Sequence, residues 1–297
     1  MRQEILGNQA LVVTPMTDDG SVDEASLRRM LDFVIEGGAH GVLVLGSTGE
    51  FFSLDQAERQ RVIQVAAEQV AGRCALGVGT ADTGSRLAAE LARFAEDAGA
   101  DYVLIPPPYY APLSMNTEQG VHAFFHEIAQ AAPIRIMLYD GGSGVEIPID
   151  VIRRLSEEAS NVCAIKVNVV KPAKVQAIQA AGLKALCGMD AVTMPMMRYG
   201  ADGFTLGVGN LLPRETTQLY EQCKEGNWDG AADTYYSSLL PVINATLAFL
   251  PEYVASFKLL LHWMGVIASP TVRAPLVPLD KVRQAEIRAA ARRVGLL

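Results

Sequence analysis

Lys166 closes the apolar run Val162-Cys163-Ala164-Ile165 and is followed two residues later by the polar Asn168. That pattern places an amine where a fully buried strand ends and the chain turns outward. The small and β-branched neighbours suit a strand covered on both faces, so this lysine lacks the easy path to solvent of a surface lysine. Desolvation penalises an ammonium, and a lysine so confined can fall from the usual ~10.4 to about 7 or 8. A neutral amine attacks the carbonyl of a 2-oxo acid and forms a Schiff base, which stores carbanion electrons while a carbon–carbon bond is made or broken. Taken alone, such a lysine also fits a structural role, its stem buried and its head snorkelling from a strand end.

Companions for that amine lie at the ends of other apolar runs. Tyr139 follows Ile136-Met137-Leu138, and a phenol there can carry a proton to and from a carbinolamine, although an aromatic core residue has the same signature. Gly46-Ser47-Thr48-Gly49-Glu50 is a small-residue turn whose hydroxyls and backbone N–H groups could hold a carboxylate; by itself it is equally an ordinary turn. Tyr109-Tyr110 follow three prolines, as interface aromatics do, and one of them could cross into a neighbour's site. Thr205-Leu206-Gly207 ends a later run, with a glycine that permits close backbone approach.

These residues need a scaffold that gathers strand ends. The sequence alternates short Val/Ile/Leu-rich runs with longer amphipathic stretches, the βαβ pattern of a parallel sheet. Strands are expected at Ala10–Thr14, Gly41–Leu45, Ala75–Gly79, Tyr102–Ile105, Arg135–Tyr139, Val162–Lys166, Leu183–Cys187 and Gly203–Leu206. Helical periodicity marks Ala25–Ile35, Ala57–Val70, Arg86–Ala98, Thr117–Ala131 and Ile149–Ser160, with Asp23, Ser53 and Thr83 as caps. Further helical patterns follow at Pro213–Glu225, Trp228–Leu247, Tyr253–Met264 and Leu279–Val294. No GxGxxG turn follows an early strand, which disfavours an open doubly wound sheet. The expected fold is α/β, a (β/α)8 TIM barrel over residues 1–225 with a C-terminal helical extension over 226–297 packed on it. Such barrels carry their active sites at the C-terminal strand ends.

Composition narrows the function classes. Of 297 residues half are hydrophobic and 20% charged, and the net charge is -8, a balance that argues against nucleic acid as the main partner. No apolar stretch is long enough to cross a bilayer, and the first residues lack a secretory pattern, so a cytoplasmic protein with no membrane partner is expected. Cys74, Cys163, Cys187 and Cys223 are scattered without a CxxC pair, which suggests buried thiols in a reducing compartment. His122 and His126 have helical i, i+4 spacing but no HExxH glutamate, so a solvated helix face is expected there, and no metal.

In order and spacing, Ala10-Leu11-Val12-Val13-Thr14-Pro15, Gly46-Ser47-Thr48-Gly49-Glu50, Pro108-Tyr109-Tyr110, Leu138-Tyr139, Ala164-Ile165-Lys166 and Tyr199-Gly200-Ala201-Asp202-Gly203 together resemble the class I pyruvate-dependent aldolases and lyases of the dihydrodipicolinate synthase and N-acetylneuraminate lyase superfamily. The resemblance spans nearly the whole chain. It implies that Lys166 is the Schiff-base lysine and Tyr139 the proton-shuttling tyrosine. It further implies that Ser47 and Thr48 hold the carboxylate of pyruvate, and that Tyr110 enters the adjacent subunit's site to complete a hydroxyl relay with Thr48 and Tyr139. A homo-oligomer, a dimer of dimers, is then expected.

Two departures bear on the substrate. Dihydrodipicolinate synthases of this superfamily carry an arginine in the loop after the strand-five tyrosine, where this chain reads Asp140-Gly141-Gly142-Ser143-Gly144-Val145-Glu146. Losing that cation and adding Asp140 disfavours aspartate semialdehyde as the second substrate. After the lysine, Val167-Asn168-Val169-Val170 offers only Asn168 to substrate hydroxyls, which disfavours a polyhydroxylated substrate. The expected activity is reversible cleavage of a 2-oxo acid to pyruvate and an aldehyde through an imine on Lys166, with Tyr139 and Tyr110 catalytic and Ser47, Thr48, Gly49, Thr205 and Gly207 binding substrate. No cofactor is expected, because the protonated imine is itself the electron sink. The alternatives are a dehydratase or decarboxylase using the same imine, dihydrodipicolinate synthase, or a non-catalytic relative that binds an oxo acid.

Overall fold

Eight parallel strands close on themselves in sequence order, β1 (Gly7–Leu11), β2 (Gly41–Val44), β3 (Ala75–Gly79), β4 (Tyr102–Ile105), β5 (Arg135–Asp140), β6 (Val162–Val167), β7 (Lys184–Cys187) and β8 (Gly203–Phe204), with β8 pairing back onto β1. The computed structural model describes residues 3–109, 117–142, 144–169, 171–247 and 250–297. Helices α1 (Glu24–Glu36), α2 (Gln56–Val70), α3 (Ser85–Asp97), α4 (Glu118–Ala131), α5 (Ile149–Glu158), α6 (Pro172–Ala180), α7 (Thr193–Arg198) and α8 (Pro213–Lys224) alternate with the strands. This is the TIM barrel expected from the alternation of short apolar runs and amphipathic stretches.

The strands are buried on both faces, and each face has its own core. Leu11, Leu43, Ala75, Tyr102, Leu104, Met137, Ala164 and Leu186 fill the barrel interior. Their strand neighbours pack outward, where Val42, Val78, Val103, Ile136 and Ile165 meet the apolar stripes of the helices. Asp23 caps α1 through the Ser26 N–H, as expected. The other two caps are corrected. Asp55 caps α2 in a reciprocal box with Glu58, and Gly84 rather than Thr83 precedes α3. The carboxylate of Asp55 supplies the acceptor that Ser53, inside a short 3₁₀ turn, does not.

β1 starts earlier than its apolar run. Gly7 and Asn8 pair with Gly203 and Phe204 of β8, and Gln9 reaches into the barrel to accept from the Tyr102 hydroxyl at 2.9 Å. Polar residues with buried partners are thus part of the strand. The Val12 N–H still donates to the Leu43 carbonyl of β2 at 3.1 Å, and beyond it a side chain takes over, with the Val13 N–H donating to Asn210 Oδ1 at 3.0 Å.

The C-terminal extension comprises α9 (Trp228–Asp233), a π-helical segment (Thr234–Leu239), α10 (Leu240–Leu247), α11 (Tyr253–Trp263) and α12 (Lys281–Arg293). α11 lies against the barrel mouth. Its fully buried Lys258 pairs with the fully buried Glu50 of the loop after β2, and Phe257 packs its ring over Gly207 after β8. No described helix is long and apolar enough to cross a membrane.

Candidate active site

Lys166 and Tyr139 are register partners on adjacent strands β6 and β5, so both side chains project from the same face at the same height. Lys166 is 1% exposed, and its Nζ lies 4.3 Å from the centroid of the Tyr139 ring. Burial lowers the Lys166 amine to about 8, against a smaller opposing pull from Asp190 and Cys187. Burial likewise raises the phenol of Tyr139, partly offset by Asn168 Nδ2, which donates to its hydroxyl oxygen at 3.1 Å.

Two glycines make this packing possible. A Cβ on Gly188, just after β7, would stand 2.5 Å from Lys166 Cε and 2.0 Å from Asn168 Oδ1. One on Gly142 would fall 1.9 Å from the Tyr139 ring. The glycine run after β5 therefore does more than remove a cation: it lets the phenol lie against the backbone.

The loop after β2 is held from several sides. Thr14 Oγ1 donates to the Gly49 carbonyl at 2.7 Å, and the Glu50 carboxylate accepts from the Arg273 N–H at 3.1 Å. Leu45 and Glu50, which flank the loop, have left-handed φ values of 58° and 55°. For non-glycine residues that conformation costs of order 1 kcal/mol each and persists only where the surroundings impose it. Thr48 is buried, and its hydroxyl partly offsets the rise that burial gives the Tyr253 phenol of α11. Ser47 and Tyr139 both line a cavity of about 230 Å³ whose other walls include Leu45, Phe51, Leu104 and Tyr109. Tyr139 is common to both features, touching Lys166 and facing this cavity.

Of the remaining sequence expectations, Thr205 is fully buried and its hydroxyl has no partner among the described residues. Gly207 approaches protein rather than open space: the Phe257 ring covers it, and its N–H donates to Asp190 Oδ2 at 3.2 Å. Tyr110 lies outside the described residues. Asp140 is corrected. Strand alternation turns it away from the barrel interior, where its carboxylate meets Lys174 Nζ of α6 at 2.7 Å and accepts from the Ile147 N–H at 2.6 Å. It therefore adds no free negative charge beside Tyr139, and only the missing arginine still disfavours aspartate semialdehyde.

Asp190, Tyr253 and the hydrogen bond of Asn168 escaped the sequence reading. Asp190 sits just past β7, accepts from the N–H groups of Val208 and Gly207, and has its carboxyl raised by burial. A carboxylate two residues after a strand-end glycine was a usable signal. Tyr253, whose hydroxyl burial raises to about 12, comes from a helix distant in sequence and had none.

One group among the described residues has metal-ligand chemistry, His122 and His126 of α4 with Glu158 of α5. Glu158 lies 2.7 Å from His122 Nε2 and 3.5 Å from His126 Nδ1, and Arg154 also approaches it. These residues belong to the outer helical layer, not to the strand ends.

A family model described as the dihydrodipicolinate synthetase family matches residues 4–294. The chain belongs to that family. A 4-hydroxy-tetrahydrodipicolinate synthase from Pelobacter propionicus is 36% identical over 98% of this chain and 99% of its own. Among solved structures, dihydrodipicolinate synthase from Aquifex aeolicus superposes with a TM-score of 0.92 at 27% identity, covering 98% of this chain and 99% of that one. A prophage protein of the family from E. coli K12, solved in complex with pyruvate, gives 0.90 at 26% identity over 98% and 99%. Membership agrees with the resemblance carried by the sequence motifs.

Proposed function

We propose that this dihydrodipicolinate synthetase family member is a lyase that forms an imine between Lys166 and pyruvate or a related 2-oxo acid, and reversibly releases an aldehyde. The observation that carries the proposal is the buried amine at the end of β6, lowered to about 8, with its nitrogen 4.3 Å from the ring of the register-paired Tyr139.

The steps balance with this chain's own groups. The neutral Nζ adds to C2 of the oxo acid, and the Tyr139 phenol protonates the departing carbinolamine hydroxyl, so water leaves and a protonated imine faces a phenolate. That phenolate takes the proton from the substrate's 4-hydroxyl. The C3–C4 bond breaks, the aldehyde departs, and the bonding electrons pass into the imine as an enamine. Protonation at C3 and hydrolysis return pyruvate and free Lys166. Ser47 and Thr48, with the N–H groups of their loop, are assigned to the carboxylate, and Thr205 offers the bound oxo acid a buried hydroxyl that has no partner among the described residues. Exposed Phe52 and Tyr109 beside the cavity support self-association of this face.

The test is pyruvate release from a panel of 4-hydroxy-2-oxo acids. The wild type should cleave at least one and Lys166→Ala none; equal turnover by both would refute the role of Lys166. A second reading, condensation of pyruvate with aspartate semialdehyde, is favoured by the names of the relatives. It is opposed by the absence of arginine between Tyr139 and Ile149, and direct assay with that aldehyde separates the two.

A further inference from the structure

We infer that Asn168 is a positioning residue for Tyr139: its side-chain amide donates to the phenol oxygen and holds that oxygen in the orientation and charge state needed between imine formation and bond cleavage. This rests on the imine reading of Lys166.

The placement is firm. Asn168 stands two residues beyond Lys166, hence on the same side of the chain, and its backbone N–H donates to the Asp140 carbonyl at 2.9 Å. That bond extends the β5–β6 ladder and fixes Asn168 beside Tyr139. From there Nδ2 reaches the phenol oxygen at 3.1 Å. Asn168 Oδ1 is buried without a partner among the described residues and faces Gly188, where a side chain would collide with it. A buried amide with one end unpaired is costly, so the residue contributes little to folding that an apolar side chain could not.

A phenol has one O–H and acceptor lone pairs in the ring plane. With the amide N–H on one side of the oxygen, its own proton is turned to the other. Once that proton has left with the carbinolamine water, the phenolate lies beside the protonated imine and a single N–H donor, a charge-assisted bond stronger than a neutral one. Among the described residues, the other charged or titratable groups near Tyr139 are Lys166 on β6, Asp190 after β7 and Tyr253 on α11. Asp140, next to it on β5, is turned to Lys174. Asn168 is thus the neutral donor in a ring of ionisable groups.

The test uses the full-length protein and pyruvate alone, whose methyl protons exchange in deuterium oxide faster than by spontaneous enolisation only through the enamine. Asn168→Asp keeps the shape but replaces the donor by an acceptor, and Asn168→Thr restores a hydroxyl donor. For the Asp variant, kcat for exchange should fall about 10- to 100-fold, within the reach of one acid–base contribution. KM should stay within about twofold, borohydride should still trap pyruvate on Lys166, and the exchange–pH profile should move to higher pH. The Thr variant should recover part of the rate, and it decides the matter if the Asp variant does not fold. Wild-type exchange with an unmoved profile in both variants would overturn the inference, as would joint loss of exchange and trapping in folded protein. Absence of exchange and trapping in the wild type would instead indict the imine reading.

Discussion

An amine 1% exposed at a strand end sheds its ammonium form early, and Lys166 does so at about 8. Imine formation with pyruvate should therefore quicken as pH rises through about 8 and level off above it, which rapid-quench borohydride trapping can follow. The same shift has a stability consequence. The folded-state value lies below the unfolded one near 10.5, so the folded state binds the proton less well. The penalty is fully present below about 8 and disappears only above the unfolded value. Lys166→Met should accordingly stabilise the protein at pH 7, by up to roughly 3 kcal/mol from this source, and progressively less toward pH 10 in urea unfolding. A lower midpoint at pH 7 would show that the amine is satisfied where it sits. Tyr253→Phe, which removes the phenol beside Thr48, should reduce kcat about tenfold. At this scale the chain was half readable: Lys166 and Tyr139 announce themselves as polar ends of apolar runs, whereas the Asn168–Tyr139 and Thr48–Tyr253 contacts join residues 29 or more positions apart.

Elements position these groups through a few buried links. The loop after β2 carries Ser47 and Thr48 and is tied to α11 by the Glu50–Lys258 pair, with both side chains fully buried and the Lys258 amine also donating to the Thr271 carbonyl at 2.8 Å. Lys258 lies on a late helix rather than at a strand end. Its amine is nevertheless buried, engaged by a carboxylate rather than left free. Lys258→Met strands a buried carboxylate and should cost about 3–5 kcal/mol in chemical unfolding, while the double variant Lys258→Met/Glu50→Gln should recover much of that. Equal losses in single and double variants would mean that packing, not charge, holds the link. Strand ends were legible because buried parallel strands are continuous apolar runs, and β1 was misplaced because its buried members Asn8 and Gln9 are polar.

On the scale of the whole molecule, the barrel strands and the helices that follow α8 interlock. Arg273 reaches back to Glu58, the Ser53 carbonyl and the Gly20 carbonyl, and the Tyr235 hydroxyl donates to the Asp190 carbonyl at 3.0 Å. We therefore expect one cooperative thermal transition; two resolved transitions in calorimetry would mean that the extension folds apart from the barrel. The number and order of the strands were legible because each is a buried apolar run, whereas the short α6 and α7 are absent from the expected helices. The docking of the extension was not legible, because amphipathic periodicity marks a buried face without naming its partner.

The most direct measurement is mass spectrometry of peptides after borohydride reduction of the full-length protein with pyruvate. The expected result is a single adduct on the peptide bearing Lys166, with none on those bearing Lys174 or Lys258. No adduct, or one carried by either of those two buried lysines, would contradict the assignment of Lys166 as the imine-forming residue.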